Sequence, residues 1–311
     1  MQKLSFVIPC YCSEKTITSV IEEIQKTVKN EQPYEIICIN DNSSDGTIDV
    51  LKRKSQENKN VKILCFSKNF GQHSALLAGY RHVTGDIIVS LDDDGQTPPR
   101  ECYKLIDMLS EKYDVVYADY ASKKHSFFRN MGSMVNKIML SYMLNLPRNI
   151  SCNSYFAAKR FVIDEIVHYN KPFPYITGLI LGVTRKIGNV QIDHQKRLYG
   201  KSGYTLKKLF SLWLNGFTAF SVKPLRLATL FGSFFSLVGF IFAFIIVIQK
   251  LINPGIAAGF TSIMTVILFI SGVLMLMLGL LGEYVGRIYI CINNPAQYVI
   301  KETFNIDEIE I

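Results

Sequence analysis

The 311-residue sequence predicts an α/β fold, a doubly wound and mostly parallel sheet, followed by amphipathic interface helices and two transmembrane helices. Three observations carry this. Apolar strand-like runs alternate with helical patterns from residue 4 to residue 120. Two uncharged stretches, residues 230–248 and 260–281, are each long enough to cross a hydrocarbon core of roughly 30 Å at about 1.5 Å per residue. A third run, residues 87–91, empties into three consecutive carboxylates, Asp92, Asp93 and Asp94.

In chain order, residues 4–9, 35–40, 61–65, 87–91 and 114–118 read as strands, each a short apolar run bounded by Pro, Asn, Asp or Gly. Helical segments fall between them at residues 16–29, 47–58, 73–82 and 100–110, and a parallel sheet needs such crossovers. Asp45, just ahead of the second of these helices, suits its N-terminal cap. Beyond residue 120 the pattern loosens into a helix over 127–144, a strand over 153–158, a helix over 160–167 and a strand over 186–193. Residues 203–221 set Phe210, Trp213, Phe217 and Phe220 against Lys207 and Lys208, as in a helix lying in a membrane interface. The expected domains are a cytosolic α/β domain at 1–202, juxtamembrane helices at 203–224, two spans within 225–282 and a cytosolic tail at 283–311. Asp307 to Glu310 reads as a solvated acidic end to that tail.

Composition narrows the function. The charge of +8 arises from lysines spread through the α/β pattern and gathered near the spans, which suits an anionic leaflet and argues against nucleic acid. Seven cysteines show no zinc spacing and read as reduced thiols. Residues 4–9 are too short for a signal-peptide core, so the first domain is expected to stay in the cytosol. Lys207, Lys208, Lys223 and Arg226 precede the first span and Arg287 follows the second, while the connecting loop carries Lys250 alone. That asymmetry predicts an in-out-in topology with both termini cytoplasmic. Gly232, Ser233, Ser236 and Gly239 form a stripe of small residues suited to helix packing, and a homo-oligomer is expected.

Ligands gather at the carboxyl ends of parallel strands, and there the sequence sets Pro9 to Tyr11, Asp41 and the Asp92–Asp94 run. Packed like charges are costly unless a cation lies between them, so the run points to Mg²⁺ or Mn²⁺ holding a diphosphate. A solvated acidic turn is the other reading. Asp41, ending the second strand, suits a nucleotide base or ribose. His73 and His82 read as structural, and Met131, Met134, Met139 and Met143 as packing or lipid contacts.

Five motifs occur in order: Pro9-x-Tyr11; Asp41-Asn-Ser-Ser-Asp45-Gly-Thr47; Lys68-Asn-Phe-Gly71-Gln-His73-x-Ala-Leu-x-Ala-Gly79; Asp92-x-Asp94-x-Gln96-x-Pro-Pro99; and Arg197-x-x-Gly200-x-Ser202. Together they resemble the family 2 glycosyltransferases that load a sugar onto a polyprenyl phosphate, the dolichol-phosphate mannose synthase and bactoprenol glucosyltransferase group. The resemblance spans essentially the whole chain and implies a GT-A-type nucleotide-sugar-binding domain. It implies that Asp92, Asp94 and Gln96 bind the metal, with Asp93 beside the donor. Pro9, Tyr11 and Asp41 then hold the base and ribose, and Arg197 closes a loop over the diphosphate. Arg129 and Ser133 grip the acceptor phosphate, with Lys123 or Lys124 as a further contact.

Three departures stand out. The family's acid after Pro-x-Tyr is replaced by Ser13 and is either absent or supplied one residue later by Glu14; the loop lysine is displaced to Lys201; and Gly95 stands where leucine is common. The implied reaction is inverting transfer from a nucleotide sugar, UDP-linked, to undecaprenyl phosphate at the bacterial inner membrane, for glycan modification of the cell envelope. A lipid phosphate is already anionic near pH 7 and attacks without a general base, so Asp94, Arg129 and Arg197 act by charge and position. The alternatives are a non-catalytic nucleotide-sugar-binding scaffold and a processive polysaccharide synthase. The synthase reading expects a Gln-x-x-Arg-Trp motif, yet the single tryptophan lies in Leu-Trp-Leu. A dinucleotide-binding oxidoreductase lacks its Gly-x-Gly-x-x-Gly.

Overall fold

The first strand, β1 (Leu4–Cys10), is buried along its whole length and sends Leu4, Phe6 and Ile8 into one core and Val7 into another. Both faces of this strand are therefore covered, as a doubly wound sheet requires. In the computed structural model, residues 1–120, 150–172, 174–193, 223–253, 259–293 and 296–306 are described. After β1 come α1 (Ile17–Thr27), β2 (Tyr34–Asn40), α2 (Thr47–Glu57), β3 (Val61–Phe66), α3 (Gln72–Tyr80), β4 (Ile87–Ser90), a 3₁₀ turn (Pro99–Glu101), α4 (Cys102–Asp107) and β5 (Val115–Tyr120). Then follow β6 (Phe156–Lys159), α5 (Arg160–Ile166), α6 (Ile176–Val183), β7 (Ile187–Ile192), α7 (Lys223–Ile252), α8 (Phe260–Asn293) and β8 (Ile300–Phe304).

The strands form one eight-stranded sheet in the order β7-β5-β6-β4-β1-β2-β3-β8. The pairs β1–β2, β1–β4, β2–β3 and β5–β7 are parallel, while β4–β6, β5–β6 and β3–β8 are antiparallel. One core packs α1, α2 and α4 on the sheet through Ile17, Ile21, Ile24, Leu51 and Leu105. The other packs α3, α5 and α6 through Leu77, Tyr80, Val162, Ile163 and Ile180. A Cβ at Gly79 would lie 2.6 Å from Val7 and 2.7 Å from Ile39, so glycine lets α3 seat directly on the sheet. The chain winds outward from β1 to β3 and then returns to place β4 on the other side of β1. The switch point of the sheet thus lies between β1 and β4.

Sequence reading and structure part in three places. The strand expected at 153–158 begins at Phe156 and runs antiparallel between β4 and β5, because Asn153 and Ser154 are engaged in side-chain bonds across the loop. Helix α6 went unanticipated, since Ile-Thr-Gly-Leu-Ile-Leu-Gly-Val reads equally well as a buried strand. The tail expected after the second span holds β8, which joins the sheet beside β3. The proposed helix at 127–144, the interface segment at 203–221 and the acidic end at 307–310 lie outside the described residues.

By internal packing the chain divides into Met1–Leu206 with Asn294–Ile311, and Lys207–Asn293. The second unit holds α7 and α8, of 30 and 34 residues, both longer than the spans expected from sequence. Phe235 and Phe269 meet edge to face at 5.6 Å between them. Among the described residues one segment, Phe269–Asn293, is long and apolar enough by length and composition to cross a membrane, and Ala228–Phe242 is a shorter apolar one.

Candidate active site

The loop after β1 is shaped by four successive backbone amides. Tyr11 donates to Asp93 Oδ2 at 3.0 Å, Cys12 to Ser43 Oγ at 3.0 Å, Ser13 to Thr47 Oγ1 at 2.9 Å and Glu14 to Asp45 Oδ2 at 3.3 Å. The polar turn between β2 and α2 therefore holds the Tyr11 loop in place, and Cys12 and Asn42 both take positive φ, 53° and 54°. Tyr11 is left 54% exposed at the carboxyl edge of the sheet. Asp45 accepts from Thr47 N–H at 3.2 Å, but the N-cap of α2 is Gly46, without a side-chain cap bond, so Asp45 stands one residue before the capping position expected for it. The Glu14 carboxylate accepts from Gly46 N–H at 3.2 Å, so it clasps the same turn.

Asp41 is buried at the end of β2. Its two carboxylate oxygens accept the Phe70 and Gly71 amides at 2.7 and 2.8 Å, tying the loop before α3 to the strand. Burial raises its pKa above the usual carboxylate range, and those amides pull the other way. Pro9 lies within β1, one residue before its end.

The three carboxylates after β4 each accept from different partners. Asp92 Oδ1 accepts from Gln72 Nε2 at 2.9 Å and Oδ2 accepts from Ser154 Oγ. Asp93 turns toward the Tyr11 amide, and burial pushes its pKa up to about 6 against that bond. Asp94 Oδ1 accepts from Gln96 N–H at 3.0 Å, closing a tight turn in which Gly95 has φ 72°. That left-handed backbone explains glycine at a position where leucine was the expectation. Behind the turn, Tyr155 donates to the Pro98 carbonyl at 2.9 Å.

Among the described residues no group of three or more His, Cys, Asp and Glu side chains could by itself hold a metal ion. Asp92, Asp94 and Gln96 nonetheless offer hard oxygen donors on one turn, which suits a cation of the Mg²⁺ type that takes one or two carboxylates and completes its shell with substrate phosphates and water. Burial pulls His73 down to about 4, leaving it neutral near pH 7 and packed edge-on to Tyr175, while His82 Nδ1 lies 2.8 Å from the Ala78 carbonyl. Both fit the structural reading. Arg129, Ser133, Lys123, Lys124, Arg197, Lys201 and His194 lie outside the described residues.

Sequence reasoning assigned nothing to Gln72 or Ser154. Gln72 lay inside a quoted motif and Ser154 inside an expected strand, but the contacts to Asp92 span 20 and 62 residues and left no local signal.

Residues 5–167 match the family described as glycosyl transferase family 2, and residues 223–288 match the GtrB C-terminal hairpin. The chain is 33% identical to the uncharacterized glycosyltransferase YkcC of Bacillus subtilis, over 97% of this chain and 94% of that protein. It is also 33% identical to the undecaprenyl-phosphate 4-deoxy-4-formamido-L-arabinose transferase of Yersinia enterocolitica, over 100% of this chain and 96% of that protein. Among solved structures, glucosyl-3-phosphoglycerate synthase from Mycobacterium tuberculosis, crystallised with Mn²⁺, UDP-glucose and phosphoglyceric acid, superposes with TM-score 0.51 at 19% identity, covering 67% of this chain and 74% of that one. At that identity the likeness shows the fold.

Proposed function

The chain belongs to glycosyl transferase family 2, in its polyprenyl-phosphate branch, and we propose that it transfers a sugar from a UDP-linked donor to undecaprenyl phosphate with inversion at the anomeric carbon. The observation that carries the reading lies at the sheet's switch point, where the exposed Tyr11 and the Asp92–Asp94 turn are joined by the bond from the Tyr11 amide to Asp93. Tyr11 and Pro9 flank the base, Asp41 and Glu14 fix the loops around the nucleotide, and Asp93 holds the Tyr11 loop against the metal turn. Asp92, Asp94 and Gln96 are the ligands for Mg²⁺ or Mn²⁺, which when bound supplies positive charge to the leaving diphosphate. Relatives support this choice: the mycobacterial synthase of the same fold was crystallised with Mn²⁺ and UDP-glucose.

Arg129, Ser133 and Lys123 are assigned to the acceptor phosphate, and Arg197 with Lys201 to the donor diphosphate. These cations bring together two phosphates that repel each other. The nucleophile needs no proton removed, so Asp93 serves position rather than base catalysis.

Membrane anchoring through both α7 and α8 is part of the proposal. Leu230, Phe240 and Phe242 on α7 and Met275 and Leu278 on α8 are each at least 60% exposed, an apolar surface that water would not tolerate. The strand after α8 pairs with β3 in the first unit's own sheet. A chain that leaves that side of a bilayer must therefore return to it, and crossings come in pairs. We assign the protein to the bacterial inner membrane with its α/β unit on the cytoplasmic side, as a homo-oligomer. Gly232 faces Met277 within the hairpin, which leaves Gly239, with open space around it, for contacts between copies.

The deciding experiment incubates the detergent-solubilised protein with undecaprenyl phosphate, Mg²⁺ or Mn²⁺ and a panel of UDP- and GDP-sugars, following nucleoside diphosphate release and the mass of the lipid. A lipid that gains one sugar from one donor supports the reading. Nucleotide binding with no lipid product from any donor overturns it in favour of another acceptor or a scaffold.

A further inference from the structure

We propose that Gln72 and Ser154 are positioning residues that orient the Asp92 carboxylate toward a divalent cation; this rests on the assignment of Asp92 as a metal ligand. The two donors come from separate parts of the fold, the first position of α3 and the loop before β6, and each takes a different oxygen of Asp92. Held from two directions, the carboxylate loses its rotational freedom.

The surrounding loop is built to hold Ser154 still. Asn153 Nδ2 donates to the Ala118 carbonyl at the end of β5, Asn153 Oδ1 accepts the Tyr155 amide at 3.0 Å, and Tyr155 donates to Pro98 beyond the carboxylate turn. Three consecutive residues thus tie β5, Asp92 and Pro98 together. These flanking bonds do not involve the Ser154 hydroxyl, so its loss leaves the loop in place. Gln72 is exposed and flexible by nature, and ordering such a side chain costs rotamer freedom. Its bond to Asp92 gives that ordering a purpose.

The test titrates Mn²⁺ into the full-length protein in detergent and reads the loss of the free-ion EPR signal. S154A and Q72A should each weaken Mn²⁺ binding by about 10- to 100-fold, the range for residues that orient a metal ligand, while the metal-free melting temperature stays unchanged. S154T, which keeps the hydroxyl, should recover most of the affinity. D92N and D94N serve as controls and should bind far more weakly than the native protein. Native Mn²⁺ affinity in S154A and Q72A alongside weak binding in the controls overturns the positioning role and leaves the ligand assignment standing. Controls that bind as well as the native protein, or a native protein that binds no Mn²⁺, overturn the assignment itself.

Discussion

Asp94 closes its own turn by accepting the Gln96 amide, so replacing the carboxylate by an isosteric amide removes charge while the turn can persist. Asp94→Asn should therefore remain folded and membrane-bound and lose metal-dependent turnover by about 100-fold or more, the loss of several kcal/mol of charge stabilisation. Native turnover in that variant would show that the turn binds no catalytic cation. A different carboxylate, Glu35, works at the opposite end of the strands. It is 1% exposed, pairs with Lys62 at 2.7 Å and accepts from Ser5 and from Thr84. Burial alone would raise its pKa, but Lys62, Ser5 and Thr84 outweigh that and hold it below its ordinary 4.5. A depressed folded pKa means stability that is present above the unfolded value and lost as pH falls through the folded one. Glu35→Ala should lower stability near pH 7 by about 3 kcal/mol, since it leaves buried donors unpaired. Urea melts of both proteins should converge as pH drops below about 4.5, and a pH-independent gap would refute the linkage. At this scale the Asp92–Asp94 run was legible because three adjacent carboxylates are costly wherever they occur. Gln72 and Ser154 were not, because their meaning lies only in what folding brings beside them.

Elements were legible where period and length agree. The four βα repeats from β1 to α4 were read with their order intact, since each strand is an apolar run, α1 and α2 are amphipathic, and α3 follows a glycine and is buried on nearly every side. β8 escaped because Ile-Lys-Glu-Thr-Phe is short, carries a Lys-Glu pair and is attached to a segment read as tail, and only pairing with β3 makes it a strand. Its hold on the sheet is extensive. Tyr298 stacks on Phe66 at 5.2 Å with the rings 9° apart, and its hydroxyl accepts from Arg81 at 2.8 Å. Asn305 donates to the carbonyls of Ser55 and Val61 at 2.7 and 2.9 Å. Phe66 in turn meets Phe70 edge to face, and the Phe70 amide is one of the two that hold Asp41. Tyr298→Ala should accordingly destabilise the α/β unit by about 2 kcal/mol or more, through lost ring packing and the loss of one bond to Arg81, whose guanidinium keeps Val167, Tyr169 and Gln297 as partners. Thermal unfolding of the full-length variant checks this, and an unchanged melting temperature would reduce the C-terminal strand to an ornament of the edge.

For the whole molecule, β8 converts a hydropathy argument into one of connectivity. The chain leaves the α/β unit before α7 and re-enters its sheet after α8, so residues 4–193 and 300–304 share one side of any bilayer that the hairpin crosses. Two crossings satisfy this and one does not, although α8 alone contains a segment that meets the length and composition test for a span. The charge pattern adds an expected direction: cations flank the hairpin and Lys250 alone lies near its turn, which predicts a turn outside the cytoplasm. Asn253→Cys, at the end of α7, and Lys301→Cys, on β8, place reporters at the turn and at the sheet. In intact cells a membrane-impermeant maleimide should label the first and spare the second, and permeabilisation should make Lys301→Cys reactive as well. Labelling of both in intact cells would place the α/β unit outside, away from cytosolic nucleotide sugars. Labelling of neither until permeabilisation would mean that the hairpin enters the membrane without crossing it, and the paired-crossing topology would fall.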